Sequence, residues 1–170
     1  QETAQIGLEA ALTGHLVLST LHTNDAPSAV TRLTEMGVDP FIVASAADCV
    51  LAQRLARRLC GKCKEEYRPT VEELHTAGLP VTEDDLDRFP PLHRAVGCTH
   101  CGNTGYRGRL AVHEIMRINE DIERLIVTKA STDEIAEAAR ANGMRTLRED
   151  GLSKVLKGHT TLEEIGRVIV

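Results

Sequence analysis

The sequence predicts a mixed α/β fold followed by a cysteine-rich module and a small C-terminal group of helices. Three observations indicate this arrangement. Residues 15–21, HLVLSTL, form an uninterrupted and partly β-branched apolar run, which is typical of a strand covered on both faces. Two CxxC pairs follow, at Cys60 and Cys63 and at Cys98 and Cys101. From about residue 120 onward, apolar side chains recur at helical spacing.

Length and composition restrict the class of protein. The chain has 170 residues, a net charge of -5 and 42% hydrophobic residues, which indicates one ordinary folded domain or two small ones. The acidic balance and an aromatic content of 2% argue against nucleic-acid binding, which favours basic surfaces and stacking rings. No apolar run approaches the roughly 20 residues of a membrane span, so no direct membrane insertion is expected. The sequence opens with neither a signal peptide nor a start methionine, and we interpret it as an excised piece of a longer chain.

The first third is predicted to be the tail of an α/β sheet, with helices on either side of the strand at 15–21. A helical pattern over 2–13 ends at Gly14. After the strand, Asn24 or Asp25 is placed to cap the next helix. That helix contains Pro27 in its first turn and is expected to end at Gly37, and a further helix is expected over 40–53, with Cys49 as a small buried hydrophobe.

The middle of the chain contains a basic stretch followed by an acidic one. Residues 51–68 contain six Lys or Arg and two Glu, a net of +4, whereas residues 70–90 contain six Asp or Glu and one Arg, a net of -5. The acidic stretch carries two capping-box patterns, so one or two short surface helices are expected there. A second strand is predicted over 110–118. Four pairs fit the capping-box pattern at predicted helix starts: Thr70 and Glu73, Thr82 and Asp85, Ser131 and Glu134, and Thr161 and Glu164.

The paired cysteines are the strongest chemical signal. A CxxC turn places two sulfurs on one metal ion, and two such turns complete a tetrahedral four-cysteine zinc site. Because an all-cysteine shell leaves no open position, the expected Zn²⁺ would be structural. The alternatives are a redox pair, unbound core thiols, or a shell in which His100 replaces one cysteine. Six basic residues flank the pairs and are expected to offset the negative charge of the thiolates: Arg57, Arg58, Lys62, Lys64, Arg107 and Arg109.

A second signal comes from two histidines at the ends of the predicted strand. Ligands of open α/β sheets bind beyond the carboxyl ends of the strands, and His22 falls at that end. His15 lies seven residues earlier, about 23 Å away in an extended strand, so the two cannot contact one phosphate. His22 is therefore either a nucleotide contact or an ordinary loop histidine, and His15 supports packing or contacts a neighbouring subunit.

Several segments resemble, in the same order, those of the secretion ATPases that drive type II secretion and type IV pilus assembly. The resemblance covers essentially the whole chain. The histidine box and the cysteine-containing segments carry it, and retraction motors of the wider family lack the cysteine module. The segments are ETAQIGLEAALTGHLVLSTLHTNDA, AQRLARRLCGKC, GCTHCGNTGYRGR, HEIM and MRTLREDGLSKVLKGHTTLEE.

The resemblance implies the C-terminal part of a RecA-like P-loop ATPase core, with a zinc module and a helical bundle after it. Residues 1–56 would be the tail of that core, 57–109 the zinc module with its acidic insert, and 110–170 a C-terminal strand and helical subdomain. His22 matches the histidine near the γ-phosphate, His15 the first histidine of the box, and the four paired cysteines the tetracysteine zinc site. The parent would bind ATP and Mg²⁺.

The same resemblance implies partners and a location. The parent would be a homohexamer in the cytoplasm, peripheral to the inner face of the bacterial inner membrane, and would work with platform proteins of the secretion or pilus machine. No GxxxxGK[ST] loop occurs in the chain, and Glu2 lies after the position of the Walker B glutamate, so no catalytic role is assigned to it. Tyr106, Arg107 and Arg109 would pack within the zinc module or approach a nucleotide or a neighbouring subunit.

Two other functions fit parts of the sequence. A free-standing zinc-ribbon adaptor without enzymatic activity would also need the four cysteines. A nucleic-acid-binding zinc module is disfavoured by the acidic charge and the scarcity of aromatic residues. Pilus assembly and type II secretion fit the resemblance equally well.

Overall fold

The computed structural model describes residues 2–169 and shows a mixed α/β fold. The helices in this range are α1 Glu2–Leu12, α2 Ala26–Glu35, α3 Pro40–Ala46, α4 Val71–Thr76, α5 Glu83–Leu86, α6 Glu120–Val127, α7 Thr132–Ala141, α8 Leu147–Leu156 and α9 Leu162–Val168. The strands are β1 Cys49–Leu59, β2 Glu65–Tyr67, β3 Leu92–Arg94 and β4 Tyr106–Arg117, and a 3-10 turn spans Thr99–Cys101. β1 pairs with β4, and β2 pairs antiparallel with β3.

The chain divides into two compact units, each built from two stretches of sequence. The first contains the chain up to Gln53 together with His113–Thr146, and the second contains Arg54–Val112 together with the chain from Leu147 onward. Both β1 and β4 contribute residues to each unit. The helices predicted near the C-terminus are present, with α6 and α7 in the first unit and α8 and α9 in the second. The division at residues 56 and 109 stays a prediction, because it refers to the parts of an ATPase.

The first unit is built around aliphatic side chains of α2, α3, α6 and α7. Val30, Val43, Ile122, Ile126 and Ile135 are all buried in its core. In α6, Ile122 and Ile126 are four residues apart, as are Ile135 and Ala139 in α7, so each of these two helices turns one apolar stripe toward the core.

The start of α2 matches the sequence prediction. The carboxylate of Asp25 accepts a hydrogen bond from the backbone N–H of Ser28 at 2.8 Å, which satisfies an otherwise unpaired donor of the first turn. Pro27 lies in that turn, where a missing N–H has no cost. Of the two predicted caps, the structure thus selects Asp25.

The strand predicted over 15–21 is wrong for this chain as it stands. Residues 15–23 have no regular secondary structure, and no strand of the described range pairs with them. Leu16 and Leu18 are each 87% exposed. A strand covered on both faces requires neighbouring strands and a layer on each side, and the described residues supply neither. The apolar run therefore lacks the neighbouring strands and covering layers that would bury its side chains.

The helix predicted over 40–53 is too long. Asp39 caps α3, which ends at Ala46, and β1 begins only three residues later. Along β1, Ala52 and Ala56 are buried while their neighbours are exposed or partly exposed, which is the alternation of a strand covered on one face. Cys49 is correspondingly exposed at the start of β1, so its predicted burial in a helix is also wrong. Pairing with β4 outweighs the local helical pattern.

The second unit packs the acidic insert and the last two helices around a separate apolar cluster. Leu74, Leu92, Val112, Val155 and Ile165 are buried there. The β2–β3 ribbon places Tyr67 opposite Leu92, with Glu65 opposite Arg94 at its other end. The predicted capping boxes at the starts of α4, α5 and α7 are present, and Thr161 caps α9. The second predicted strand corresponds to β4.

A fully buried carboxylate joins α9 to β1 within this unit. Glu164 is 0% exposed and accepts hydrogen bonds from the backbone N–H of Arg57 at 2.8 Å and from its Nε and Nη2 at 2.9 and 2.7 Å. Nε and Nη2 of Arg167 donate to the same carboxylate at 2.9 and 2.6 Å. The guanidinium of Arg57 also lies over the ring of Tyr106, 4.2 Å from its centroid. Two arginines thus compensate a charge that would otherwise be costly to bury.

Within the described residues, no helix is both long enough and apolar enough to cross a lipid bilayer.

Replacement of Glu164 by Gln is expected to lower the free energy of unfolding at pH 7 by about 1.5–3 kcal/mol. Burial alone raises the pKa of Glu164, but the hydrogen bonds from Arg167 and Arg57 outweigh burial and bring the pKa to about 2. Since this lies below the unfolded value of about 4.3, the stabilisation is complete above that pH and is lost as the pH falls toward 2. Denaturant unfolding across this range would measure it.

The matched control is Glu163→Gln, which removes an exposed carboxylate from the same helix. The stability difference between the wild type and the Glu164→Gln variant should shrink with acidification, while the control stays close to the wild type. A difference that is independent of pH between about 4.3 and 2 would contradict the assigned role of the ionised carboxylate.

Candidate metal centre

Two tight turns present the four paired cysteines. In the first, which follows β1, the carbonyl of Cys60 accepts hydrogen bonds from the N–H groups of Cys63 and Lys64 at 3.3 and 3.0 Å. In the second, the carbonyl of Cys98 accepts from Cys101 at 3.2 Å. A backbone hydrogen bond of 2.9 Å from Cys60 N–H to Gly105 then ties the first turn to the chain beside the second.

The four sulfurs converge on one point. All four Sγ atoms lie within 4.8 Å of one another. The separations are 4.0 Å between Cys60 and Cys98, 3.8 Å between Cys63 and Cys101, and 3.8 Å between Cys98 and Cys101. Four sulfurs arranged tetrahedrally at about 2.3 Å from a zinc ion would be separated by about 3.8 Å. The donor set and its spacing therefore fit a tetrahedral metal ion.

The electrostatics of the cluster also favour a cation. Burial opposes ionisation of Cys101, but backbone N–H groups of Cys98 and Gly105, each 3.2 Å from its Sγ, and the neighbouring thiols bring its pKa to about 6. Burial and the adjacent cysteines raise the pKa of Cys63 to about 12. One thiolate is thus stabilised while further ionisation is opposed, and a bound dication would remove that opposition.

Three of the flanking cations predicted to offset the thiolate charge have other polar partners, and the offset itself stays a prediction. Arg57 is committed to Glu164, and Lys64 Nζ donates to the carbonyl of Gly158 at 2.9 Å. Arg107 Nη1 donates to His100, at 2.6 Å from its Nε2 and 3.1 Å from its carbonyl oxygen. His100 therefore contacts Arg107, and the four cysteines form the metal-binding cluster without a histidine.

The remaining residues singled out from the sequence lie elsewhere. His15 and His22 are exposed and belong to the first unit, whereas the four cysteines belong to the second. His15 Nδ1 lies 3.0 Å from the hydroxyl of Thr13. Tyr106 packs inside the second unit, where its hydroxyl lies 2.9 Å from that of Thr161. Arg109 is exposed.

Sequence reasoning assigned no role to Glu114, although it lies in the HEIM segment. Its side chain is 4% exposed, and its Oε1 accepts a hydrogen bond of 2.7 Å from the N–H of Ala26. Glu114 thereby holds the first residue of α2, four positions after His22. The available signal was a carboxylate within the apolar run LAVHEIM, because a buried charge requires a specific partner.

Comparison with known proteins assigns the chain to a family. The profile of the family described as "Type II/IV secretion system protein" matches residues 1–167. The chain belongs to this family. It is 54% identical to the type IV pilus assembly ATPase PilB of Thermus thermophilus over 164 residues, which are 96% of this chain and 18% of that protein. It is 51% identical to the type II secretion system protein HxcR of Pseudomonas aeruginosa, over 98% of this chain and 31% of that protein.

A further relative extends the same pattern. The type II secretion system protein E of Pseudomonas aeruginosa is 47% identical over 168 residues, which are 99% of this chain and 32% of that protein. The family member described here therefore spans between about a fifth and a third of the length of these relatives.

Loss of one cluster cysteine is expected to abolish stoichiometric metal binding and to lower the melting temperature. Cys98→Ser removes one of four sulfurs, so the remaining three cannot complete the shell, and a structural metal contributes directly to folding. Metal analysis and thermal melts would measure both effects. Cys49→Ser is the matched control because Cys49 is an exposed cysteine in the other unit. Equal behaviour of the two variants would contradict a metal role for the cluster.

Proposed function

We propose that the chain is the C-terminal part of a hexameric motor ATPase that couples ATP hydrolysis to type IV pilus assembly or type II protein secretion. The observation that carries this proposal is the family match over residues 1–167. Relatives that share about half of their aligned residues with this chain are named as a pilus assembly ATPase and a type II secretion protein. In this function, water attacks the γ-phosphorus of ATP bound with Mg²⁺ and releases ADP and phosphate. The free energy is used for subunit motion in the hexamer.

The exposed apolar run supports a RecA-like core in the longer protein. Leu16 and Leu18 are large apolar side chains, and each is 87% exposed. Exposure of two such side chains so close together in one segment is unfavourable in water. In the proposed core, residues 15–21 form a strand between neighbouring strands of an ATPase sheet. Burial of the two leucines there would contribute several kcal/mol at about 25 cal/mol per Å² of apolar surface.

The histidines then have separate roles. His22 would lie at the carboxyl end of this strand and donate a hydrogen bond to the γ-phosphate or orient the attacking water. Asp25 and Glu114 hold the start of α2 directly after it, through hydrogen bonds to the backbone of Ser28 and Ala26. His15, at the other end of the strand, would support packing or a contact with the neighbouring subunit.

The cysteine cluster would hold a structural Zn²⁺. Four thiolates around the ion leave no position for a water or substrate, so the metal would stabilise the fold and take no part in hydrolysis. Cys60, Cys63, Cys98 and Cys101 are its proposed ligands. Residues 57–109 are the proposed zinc module, between the ATPase core at 1–56 and the C-terminal strand and helices at 110–170.

The proposed partners are the other subunits of a homohexamer and the platform proteins of the secretion or pilus machine. The proposed location is the cytoplasmic face of the bacterial inner membrane. Support comes from the names of the relatives, which are components of pilus assembly and type II secretion.

The purified chain is expected to contain one zinc ion and to lack ATPase activity. Zinc is expected because the sulfur spacing fits its tetrahedral geometry, and inactivity because the chain has no GxxxxGK[ST] loop to bind phosphates. Metal analysis would count the zinc, and phosphate release would be compared with a mock purification. Well under one zinc per chain, or magnesium-dependent turnover by the chain alone, would each contradict this assignment.

In the full-length motor, His22→Ala is expected to reduce ATP hydrolysis by about a hundredfold or more, because one preorganised donor to the transition state is lost. The affinity for ADP should change little, since the proposed contact is to the γ-phosphate. Steady-state hydrolysis and an ADP titration would measure the two quantities.

His15→Ala is the matched control, because it removes a histidine from the other end of the same segment. It is expected to affect assembly or thermal stability and to spare the hydrolysis rate per assembled hexamer. Normal turnover by His22→Ala, or a loss that follows its melting temperature, would contradict the γ-phosphate role. A full-length protein without any ATPase activity would leave the zinc-ribbon adaptor as the better account of the family match.

A further inference from the structure

A concave basic surface lies beside the cysteine cluster within the second unit. Its volume is about 340 Å³, at the lower end of the range for small-molecule sites. Five basic side chains line it: Arg58, Lys64, His100, Arg107 and His159. Its other lining residues are Leu59, Cys60, Gly61 and Gly158, so no carboxylate of the described residues lines it. A concave surface lined by one sign of charge concentrates its field and attracts ions of the opposite sign.

Two of these cations, Lys64 and Arg107, make hydrogen bonds within the unit before any ligand binds. Lys64 Nζ donates to the carbonyl of Gly158, and an ammonium group has two further N–H donors. Gly158 allows this approach because its φ is +66° and a Cβ there would lie 2.9 Å from Lys64 Nζ. The carbonyl of His159 accepts a hydrogen bond of 2.9 Å from the N–H of Leu59, which fixes the backbone of His159 to β1. Lys64 and the backbone of His159 are therefore fixed parts of this surface.

Arg58 is the charged side chain of this surface that has no hydrogen-bond acceptor among the described residues. Within residues 2–169 its guanidinium makes no hydrogen bond or ion pair, whereas its neighbour Arg57 is bound to Glu164. The pKa of His159 is lowered mainly by burial and, to a smaller extent, by the positive charges of Arg58 and Lys64. Arg58, Lys64 and Arg107 carry three positive charges, and a neighbouring zinc–tetrathiolate centre would carry about two negative ones. Positive charge remains in excess.

We propose that this surface, which we call the basic pocket, binds a phosphate group of an anionic ligand. The planar fork of Arg58 matches two phosphate oxygens, and Lys64 and Arg107 supply further charged donors from two other segments of chain. The volume admits a phosphate with a small attached group, either on a free phosphate compound or on a lipid headgroup. The proposal does not depend on ATP hydrolysis and goes beyond the proposed motor function.

The test is a titration of the zinc-loaded chain with inorganic phosphate at constant ionic strength, followed by NMR. The backbone amides of Gly61 and His159, which line the basic pocket, are expected to shift in a saturable manner. Arg58→Gln is expected to weaken binding about tenfold or more, since a charge-assisted bidentate contact is lost. Arg88→Gln, an exposed arginine of the acidic insert outside the basic pocket, is the matched control and should bind as the wild type does.

A second measurement separates the two sources of phosphate. Vesicles of phosphatidylglycerol in phosphatidylcholine are compared with pure phosphatidylcholine in a sedimentation assay, using the same two variants. Binding to inorganic phosphate alone identifies a free phosphate compound, and Arg58-dependent binding to anionic vesicles identifies a lipid headgroup; either result supports the basic pocket. Absence of saturable binding in both assays at full zinc content, or equal weakening by Arg58→Gln and Arg88→Gln, would overturn the proposal. Because no assay measures hydrolysis, these results are independent of the ATPase proposal.

Discussion

Four sulfur atoms within 4.8 Å of one another are the constraint on which the second unit depends. They come from two turns separated by 34 residues, and the intervening chain contains α4, α5 and the β2–β3 ribbon. Bringing together the ends of such a stretch has an entropic cost. A metal ion bound by all four thiolates would add its binding free energy to that of the apolar cluster and also remove the opposition to ionisation that raises the pKa of Cys63.

Two buried carboxylates also join distant elements of the fold, through hydrogen bonds. Glu164 joins α9 to β1 by accepting from Arg57 and Arg167, so the last helix of the second unit is held by charge as well as by apolar packing. Glu114 joins β4 to the start of α2 in the first unit. In both places a carboxylate reaches a backbone N–H that is distant in sequence, which specifies one arrangement of the elements more narrowly than aliphatic contacts do. Burial of aliphatic side chains supplies the bulk of the stability, and these hydrogen bonds fix how the joined elements are oriented.

The segment from His15 to His22 shows how a functional prediction depends on surroundings. Its sequence suits a covered strand, yet Leu16 and Leu18 are exposed and the segment pairs with no strand of the described residues. Proximity of His22 to a phosphate would require a sheet edge and a phosphate-binding loop, and the chain has no GxxxxGK[ST] sequence. Asp25 and Glu114 anchor the start of α2 directly after this segment.

Local sequence by itself determined several helix starts, the two CxxC turns and the second strand. Capping at Thr70 and Ser131 depends on residues within three positions of each other, and a CxxC spacing fixes where two sulfurs point. Only the tertiary structure decided that residues 49–59 form a strand, since β1 exists through its pairing with β4 about sixty residues away. It likewise decided the partners of Arg57 and His100. A long arginine side chain can reach several acceptors, and the surrounding fold selects one of them.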